Sequence, residues 1–234
     1  MLTMDGEFET LTERLSHLKR EGANLLVLSG GLGRTTCHGL LGERWDERRR
    51  LYVTTTGTTD RVQDRHWSTT SPERFGQVHV TAGATRATAG RTNGDGEWAP
   101  ATVSPTMNEV YSQISDPTEL MTLARHVHEH LVRFEVHDPD PGEIRLCFDA
   151  LDTILDAGGR REVTEFLRTL TTRVRLSRGL AHYHLSVATP DQVPEEIEPL
   201  FDGVIEQRMT AEGPRQRWTL RESDVQTDWL PLTL

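Results

Sequence analysis

At 234 residues the chain can bury one full core, and no shift in composition divides it, so a single domain over residues 1–234 is expected. Its 36 acidic residues face 26 basic ones, and the resulting charge of −10 argues against nucleic-acid and anionic-membrane partners, which require a basic footprint. No apolar run approaches the roughly 18–20 residues of a membrane span, and Met1 opens no charged-then-apolar leader, so a cytoplasmic protein is expected.

Residues 1–22 read as an N-terminal helix, with Phe8, Leu11, Leu15 and Leu18 at helical spacing behind Asp5. Asn24 to Ser29 is a continuous apolar run, the mark of a strand covered on both faces, and "GGLGRTTCHGLL" after it has the form of a glycine-rich turn opening a helix. Leu51–Thr55 and Val78–Thr81 are short β-branched strands. Residues 82–105 carry no period and read as a flexible loop, a length that in a compact domain belongs to function or disorder.

Order resumes at "DPTE", where Asp116 can cap, Pro117 suits the first helical position and Glu119 stands at capping-box distance. Leu120, Leu123, Val127, Leu131 and Phe134 then make one apolar stripe. "EIRLCFDAL" is a second apolar strand, and it ends on Asp149. A helix with Val163, Phe166, Leu167, Leu170 and Val174 inward follows, then a strand over Ala181–Ala188, then a terminal hairpin turning near Glu212 and Gly213. Strands alternating with helices before a closing hairpin predict an α/β fold, a mostly parallel central sheet flanked by helices with antiparallel strands at one edge. Cys37 and Cys147 each lie in an apolar stretch and read as buried thiols of a reducing compartment.

The turn after the first strand is the chemical candidate. A P-loop wraps backbone N–H groups around a β-phosphate at a helix N-terminus, uses lysine against the β- and γ-phosphates, and gives Mg²⁺ a Ser or Thr hydroxyl. Here Gly30, Gly31 and Gly33 supply the flexible backbone, Leu28 occupies the place of the first glycine, Arg34 that of lysine, Thr35 the magnesium hydroxyl, and Thr36 follows. Arginine keeps the charge, but its planar fork is bulkier than an ammonium. A bare strand-to-helix turn would use the same glycines. A dinucleotide fingerprint fits less well, because Thr36 stands where the third glycine belongs and no carboxylate ends the second strand. In RecA-type P-loop ATPases an apolar strand ending in Asp lies beside the P-loop strand and orders the magnesium's water shell, a form that "RLCFDAL" shares. Asp149 would equally serve as an acid capping the next helix.

"QISDPTELMTLARHVHEHL", "EIRLCFDALDTIL", "VTEFLRTLTTRVRLSRGLAHYHL" and "LFDGVIEQRM", in that order and spacing, resemble the divergent RecA/KaiC-like P-loop proteins of halophilic archaea with a degenerate Walker A motif. The resemblance covers nearly everything after residue 20. It implies a RecA-like core whose terminal hairpin matches the paired C-terminal strands of KaiC-like domains, with ATP and Mg²⁺ as candidate cofactors. It says little of activity, because many such relatives have eroded P-loops. An acidic, threonine-rich chain whose only lysine is Lys19 also suits concentrated salt, although a mildly acidic protein of a GC-rich genome would share that bias.

ATPases of this type need a carboxylate just after the second strand to polarise water, and "LYVTTTGTTD" offers only threonines before Asp60. Arg215, Arg217 and Arg221 on the hairpin are placed to reach a neighbouring subunit as a finger, or simply to charge a sheet edge. His126, His128, His130 and His137 read as polar-flank histidines, and His182 with His184 as a pair on one strand face, packed against a helix layer. The leading expectation is a nucleotide-binding regulatory or signalling protein with weak or no ATP hydrolysis, working through a protein partner or self-association. The alternative is a pseudo-ATPase scaffold with an empty pocket. A slow ATPase that uses Arg34 in place of lysine is the third.

Overall fold

The computed structural model describes residues 4–30, 40–41, 47–55, 71–81, 110–223 and 225–232. The expected loop over 82–105 lies outside these residues. The N-terminal helix α1 (Met4–Glu21) leads into β1 (Ala23–Leu28), in which all six residues are buried, as doubly covered strands require. β2 (Arg49–Thr55), β3 (Phe75–Val80) and β4 (Tyr111–Ile114) follow. Next come α2 (Leu120–Glu135), β5 (Ile144–Phe148), α3 (Leu151–Ala157), α4 (Arg160–Leu176) and β6 (Leu180–Leu185). The chain closes with β7 (Gly203–Thr210), β8 (Gly213–Leu220), β9 (Val225–Gln226) and β10 (Leu230–Pro231).

These strands form one sheet in the order β10-β8-β7-β1-β6-β5-β2-β3-β4, with β9 also paired to β8. Every pairing from β7 to β4 is parallel, and β8 turns back antiparallel to β7, so the mostly parallel sheet with a C-terminal hairpin is as expected. The sequence reading set the Asp149 strand directly beside β1, and here it is corrected. β6 lies between them, registered with β1 from Ala23↔Leu180 to Leu28↔Leu185 and with β5 from Arg145↔Leu180 to Phe148↔Tyr183. An apolar run signals cover on both faces but carries no information on which strand sits alongside.

The two faces of the sheet differ in chemistry. On one, Leu26, Leu28, Val53, Val78, Leu146 and Phe148 meet the stripe of α2 (Leu123, Val127, Leu131, Phe134) and the inward side of α4 (Val163, Phe166, Leu167, Leu170, Val174) in one apolar core. Each such side chain contributes about 1.5–3 kcal/mol of burial. On the other face, Leu25, Val27, Ile205 and Trp218 pack under Leu11, Leu15 and Leu18 of α1. Further along this second face the strands turn polar while staying buried: Arg50, Thr54, Gln77, Arg145, Asp149, His182 and His184.

Three local expectations change. α2 begins at Leu120 rather than at Pro117, because Asp116 Oδ1 accepts from the Thr118 N–H (2.8 Å) and hydroxyl (2.7 Å), closing a turn before the helix. A short helix, α3, precedes the expected one, α4, and is divided from it at Gly158 and Gly159. His130 is in the interior, only 4% exposed, rather than on a polar flank. Polar groups inside β1 are matched: Asn24 donates to Thr171 O (3.0 Å) and accepts from the Tyr183 hydroxyl (2.9 Å).

Candidate functional site

The C-terminal ends of the parallel strands share one edge of the sheet, where ligands of open α/β folds gather. β1 leaves this edge through Ser29 and Gly30, whose N–H groups donate to Leu185 O and Val187 O (both 3.1 Å) and so continue the pairing with β6. Gly30 then takes a left-handed turn (φ 50°), and a Cβ there would stand 2.4 Å from Gln207 O of β7. Only glycine fits that position. Of the residues read as phosphate-binding, Gly30 is therefore at the expected strand exit, while Gly31, Gly33, Arg34, Thr35 and Thr36 lie outside the described residues.

Asp149 terminates β5 at the same edge, buried to 4% exposure, with its N–H donating to Val53 O of β2 at 2.7 Å. Two strand steps separate β1 from β5, about 9.6 Å at the usual spacing. The chains leaving these two strands go to opposite faces. After β1, Leu40 packs with the α1-face cluster and Leu41 with Tyr52, Phe75 and Cys147, whereas after β5 the helices α3 and α4 cover the other face. In open α/β sheets, ligands bind outside the carboxyl ends of the strands where successive connections diverge to opposite faces. On the α3 side Asp152 accepts from the N–H (3.0 Å) and hydroxyl (2.8 Å) of Ser186, fixing the chain as it leaves β6. β2 ends in Thr54 and Thr55, and Thr54 accepts from the Gln77 amide (3.2 Å). Within β2 itself no carboxylate is present.

The hairpin arginines are engaged within the chain. Arg217 donates twice to buried Glu206 (2.9 and 3.0 Å) and lies with Arg208 against the Trp229 ring, Arg215 pairs with Glu212, and Arg221 reaches Glu198 at 3.1 Å. The helix histidines stay separate: His126 faces Glu129 at 3.3 Å, His128 receives Arg173 at 2.9 Å, and His130 contacts Arg133 at 3.0 Å. His182 and His184, two positions apart in β6, are buried on the α1 face, their rings edge to face with centroids 5.0 Å apart. Cys147 is the registered partner of His182 across β5 and β6. Taken separately these residues gave no signal in the sequence; the equal parity of Cys147 and Asp149 in one strand and of H-x-H in the next was the available clue.

The fold is RecA/KaiC-like. The chain is similar to the solved KaiC-like protein PH0186 of the hyperthermophilic archaeon Pyrococcus horikoshii OT3, with a TM-score of 0.51 and 15% identity over 86% of this chain and 80% of that one. No helix among the described residues is long and apolar enough to cross a membrane. No curated protein matches the sequence. A family model described as a family of unknown function, DUF7504, matches residues 22–207, which takes in every strand from β1 to most of β7, and the chain belongs to that family.

Proposed function

We propose that the edge between Gly30 and Asp149 binds the phosphates of ATP with Mg²⁺, in a cytoplasmic regulatory or signalling protein that hydrolyses the nucleotide weakly or not at all. The observation that carries this is Gly30: a left-handed glycine wedged against Gln207 O at the exit of β1, the C-terminal edge it shares with Asp149, admits no side chain. In this reading Gly31, Gly33, Arg34, Thr35 and Thr36, read from the sequence as phosphate-binding, would complete the site, with Arg34 as its cation. Thr35 would ligate the metal, and Asp149 would hold it through water. A gap of about two strand spacings suits that indirect contact, since hydrated Mg²⁺ keeps several of its waters.

Binding demands less than turnover. β2 delivers Thr54 and Thr55 to the edge instead of an acid, so this strand itself supplies no base to polarise an attacking water. Arg34 fills the lysine position with a broader group. The home pairing of Arg215, Arg217 and Arg221 argues against a finger offered to a neighbouring subunit.

A scaffold reading finds support in a different place. Val136 (77% exposed) and Leu176 (75% exposed) flank the Arg173–Glu135 bridge that ties α4 to α2, and exposed aliphatic side chains suit a protein partner or self-association. We also infer a surface adapted to concentrated salt, from the excess of carboxylates and the single lysine.

Titration with ATP and Mg²⁺ in high KCl, with phosphate release followed in parallel, tests the main reading. Thr35→Ala and Asp149→Asn should each abolish magnesium-dependent binding, and Arg34→Lys should strengthen it without adding hydrolysis. Brisk turnover by the wild type would overturn the weak-hydrolysis reading. Absence of binding by both wild type and Arg34→Lys would leave the scaffold.

A further inference from the structure

Cys147, His182 and His184 each direct a donor atom into one small region, with all three donors within 4.8 Å of one another and all three residues buried. We propose that they form a binding site for a zinc-class divalent cation, separate from the phosphate edge and independent of any nucleotide.

The sheet sets up the geometry. Cys147 and His182 are direct cross-strand partners on parallel strands, and His184 follows His182 by two positions, so the three side chains leave the same face. Central strands hold ligands more rigidly than loops do. In a tetrahedral zinc site, bonds of about 2.3 Å to sulfur and 2.0–2.1 Å to nitrogen place donors roughly 3.3–3.7 Å apart. Closing from 4.8 Å needs about 1 Å of movement, within the range of side-chain rotation with the backbone fixed. A thiolate with two imidazoles selects a borderline-soft ion such as Zn²⁺ or Co²⁺ over Mg²⁺, Ca²⁺ or Mn²⁺.

The surroundings mix apolar and charged groups. Leu25 and Val27 of β1 border the histidines, and Leu41, Tyr52, Phe75 and Val110 cluster with Cys147, beside the buried Arg50 and Arg145 of the same face. On binding, the thiol loses its proton to solvent and each imidazole binds neutral, leaving one net positive charge from the dication and thiolate. Cys147 stands between buried Arg145 and Asp149 on the same face of β5, one charge of each sign.

The test uses the full chain with any affinity tag removed, reduced and stripped with chelator, then titrated anaerobically with Co²⁺ in the absence of nucleotide. One equivalent should bind, with a thiolate-to-cobalt charge-transfer band and intense four-coordinate visible bands, and Zn²⁺ should displace it. Cys37→Ser should leave the spectrum unchanged. Cys147→Ser should erase the charge-transfer band, and His184→Asn should weaken Co²⁺ affinity roughly tenfold or more. Because core variants can misfold, X-ray absorption on the wild-type zinc form supplies a second reading: its first shell should contain one sulfur and two imidazole nitrogens. Failure to take up one equivalent, a shell without sulfur, or a band lost with Cys37 rather than Cys147 would overturn the proposal. Loss of ATP binding would leave these readouts untouched, so the two proposals fail separately.

Discussion

Acid should unfold this protein partly through one histidine. His130 is buried in α2, its Nδ1 lies 3.0 Å from Arg133 Nη2, and Arg133 is anchored to Phe75 O (2.6 Å) and Pro72 O. Burial first, and the positive charges of Arg133 and His126 second, push its pKa down from 6.5 to about 3. The neutral ring is thus kept in the fold while the unfolded chain takes up a proton. Between these two values the unfolded state binds more protons, so this contribution is complete above pH 6.5 and is lost as pH falls toward 3. At 1.36 kcal/mol per unit the whole window is worth at most ~5 kcal/mol, of which about 2 kcal/mol is lost between pH 7 and pH 5. His130→Gln removes the titration. Urea unfolding in about 1 M KCl, where surface charges are screened, should give a wild-type stability that drops about 2 kcal/mol more than the variant's across that interval. Parallel pH curves for the two proteins would refute the reasoning, as would a wild-type stability that rises on acidification.

Gly30→Ala should destabilise by about 2–3 kcal/mol, since it places a Cβ against Gln207 O and strains a left-handed residue; a fall in Tm under about 2 °C would show that the turn relaxes freely. Arg217→Met should cost about 3–5 kcal/mol in urea unfolding by stranding the Glu206 carboxylate, which is 3% exposed, and adding Glu206→Leu should recover most of it. Equal losses in the single and double variants would count against the ion pair as the cause. Net charge −10 predicts a Tm that climbs with KCl from about 0.1 to 2 M as the Debye length shrinks from roughly 10 Å to under 3 Å, and a flat profile would contradict salt adaptation.

Much of the fold was legible because periodicity reports burial. The stripe Leu120, Leu123, Val127, Leu131 and Phe134 and the inward side of α4 are buried as their spacing predicts. His130 was readable too: it follows Val127 by three and precedes Phe134 by four, which places it within the stripe, and only its polarity argued otherwise. The short α3 was less legible than α4, since its seven residues hold too few turns to show a helical period. Strand order was not legible, because β1, β5 and β6 are all apolar enough to be central and the choice among them rests on contacts between distant segments. The site was legible in part. Gly30 and Asp149 share an edge, but the cysteine and histidines of β5 and β6 converge only through a register that no local pattern encodes.

The tail after β8 bears on how this protein can polymerise. β9 pairs with Thr219 and Leu220, and β10 with Arg215 and Gln216, so the chain folds back twice along the flank of β8 that faces away from β7. A long terminal strand left bare would invite a second molecule to extend the sheet. Here its hydrogen-bonding groups are occupied by the molecule's own last residues, and arginine charge need not be the deterrent. Among the described residues the opposite end of the sheet is β4, a strand of four residues, which is short for a template. Strand addition along that flank of β8 would first have to displace β9 and β10.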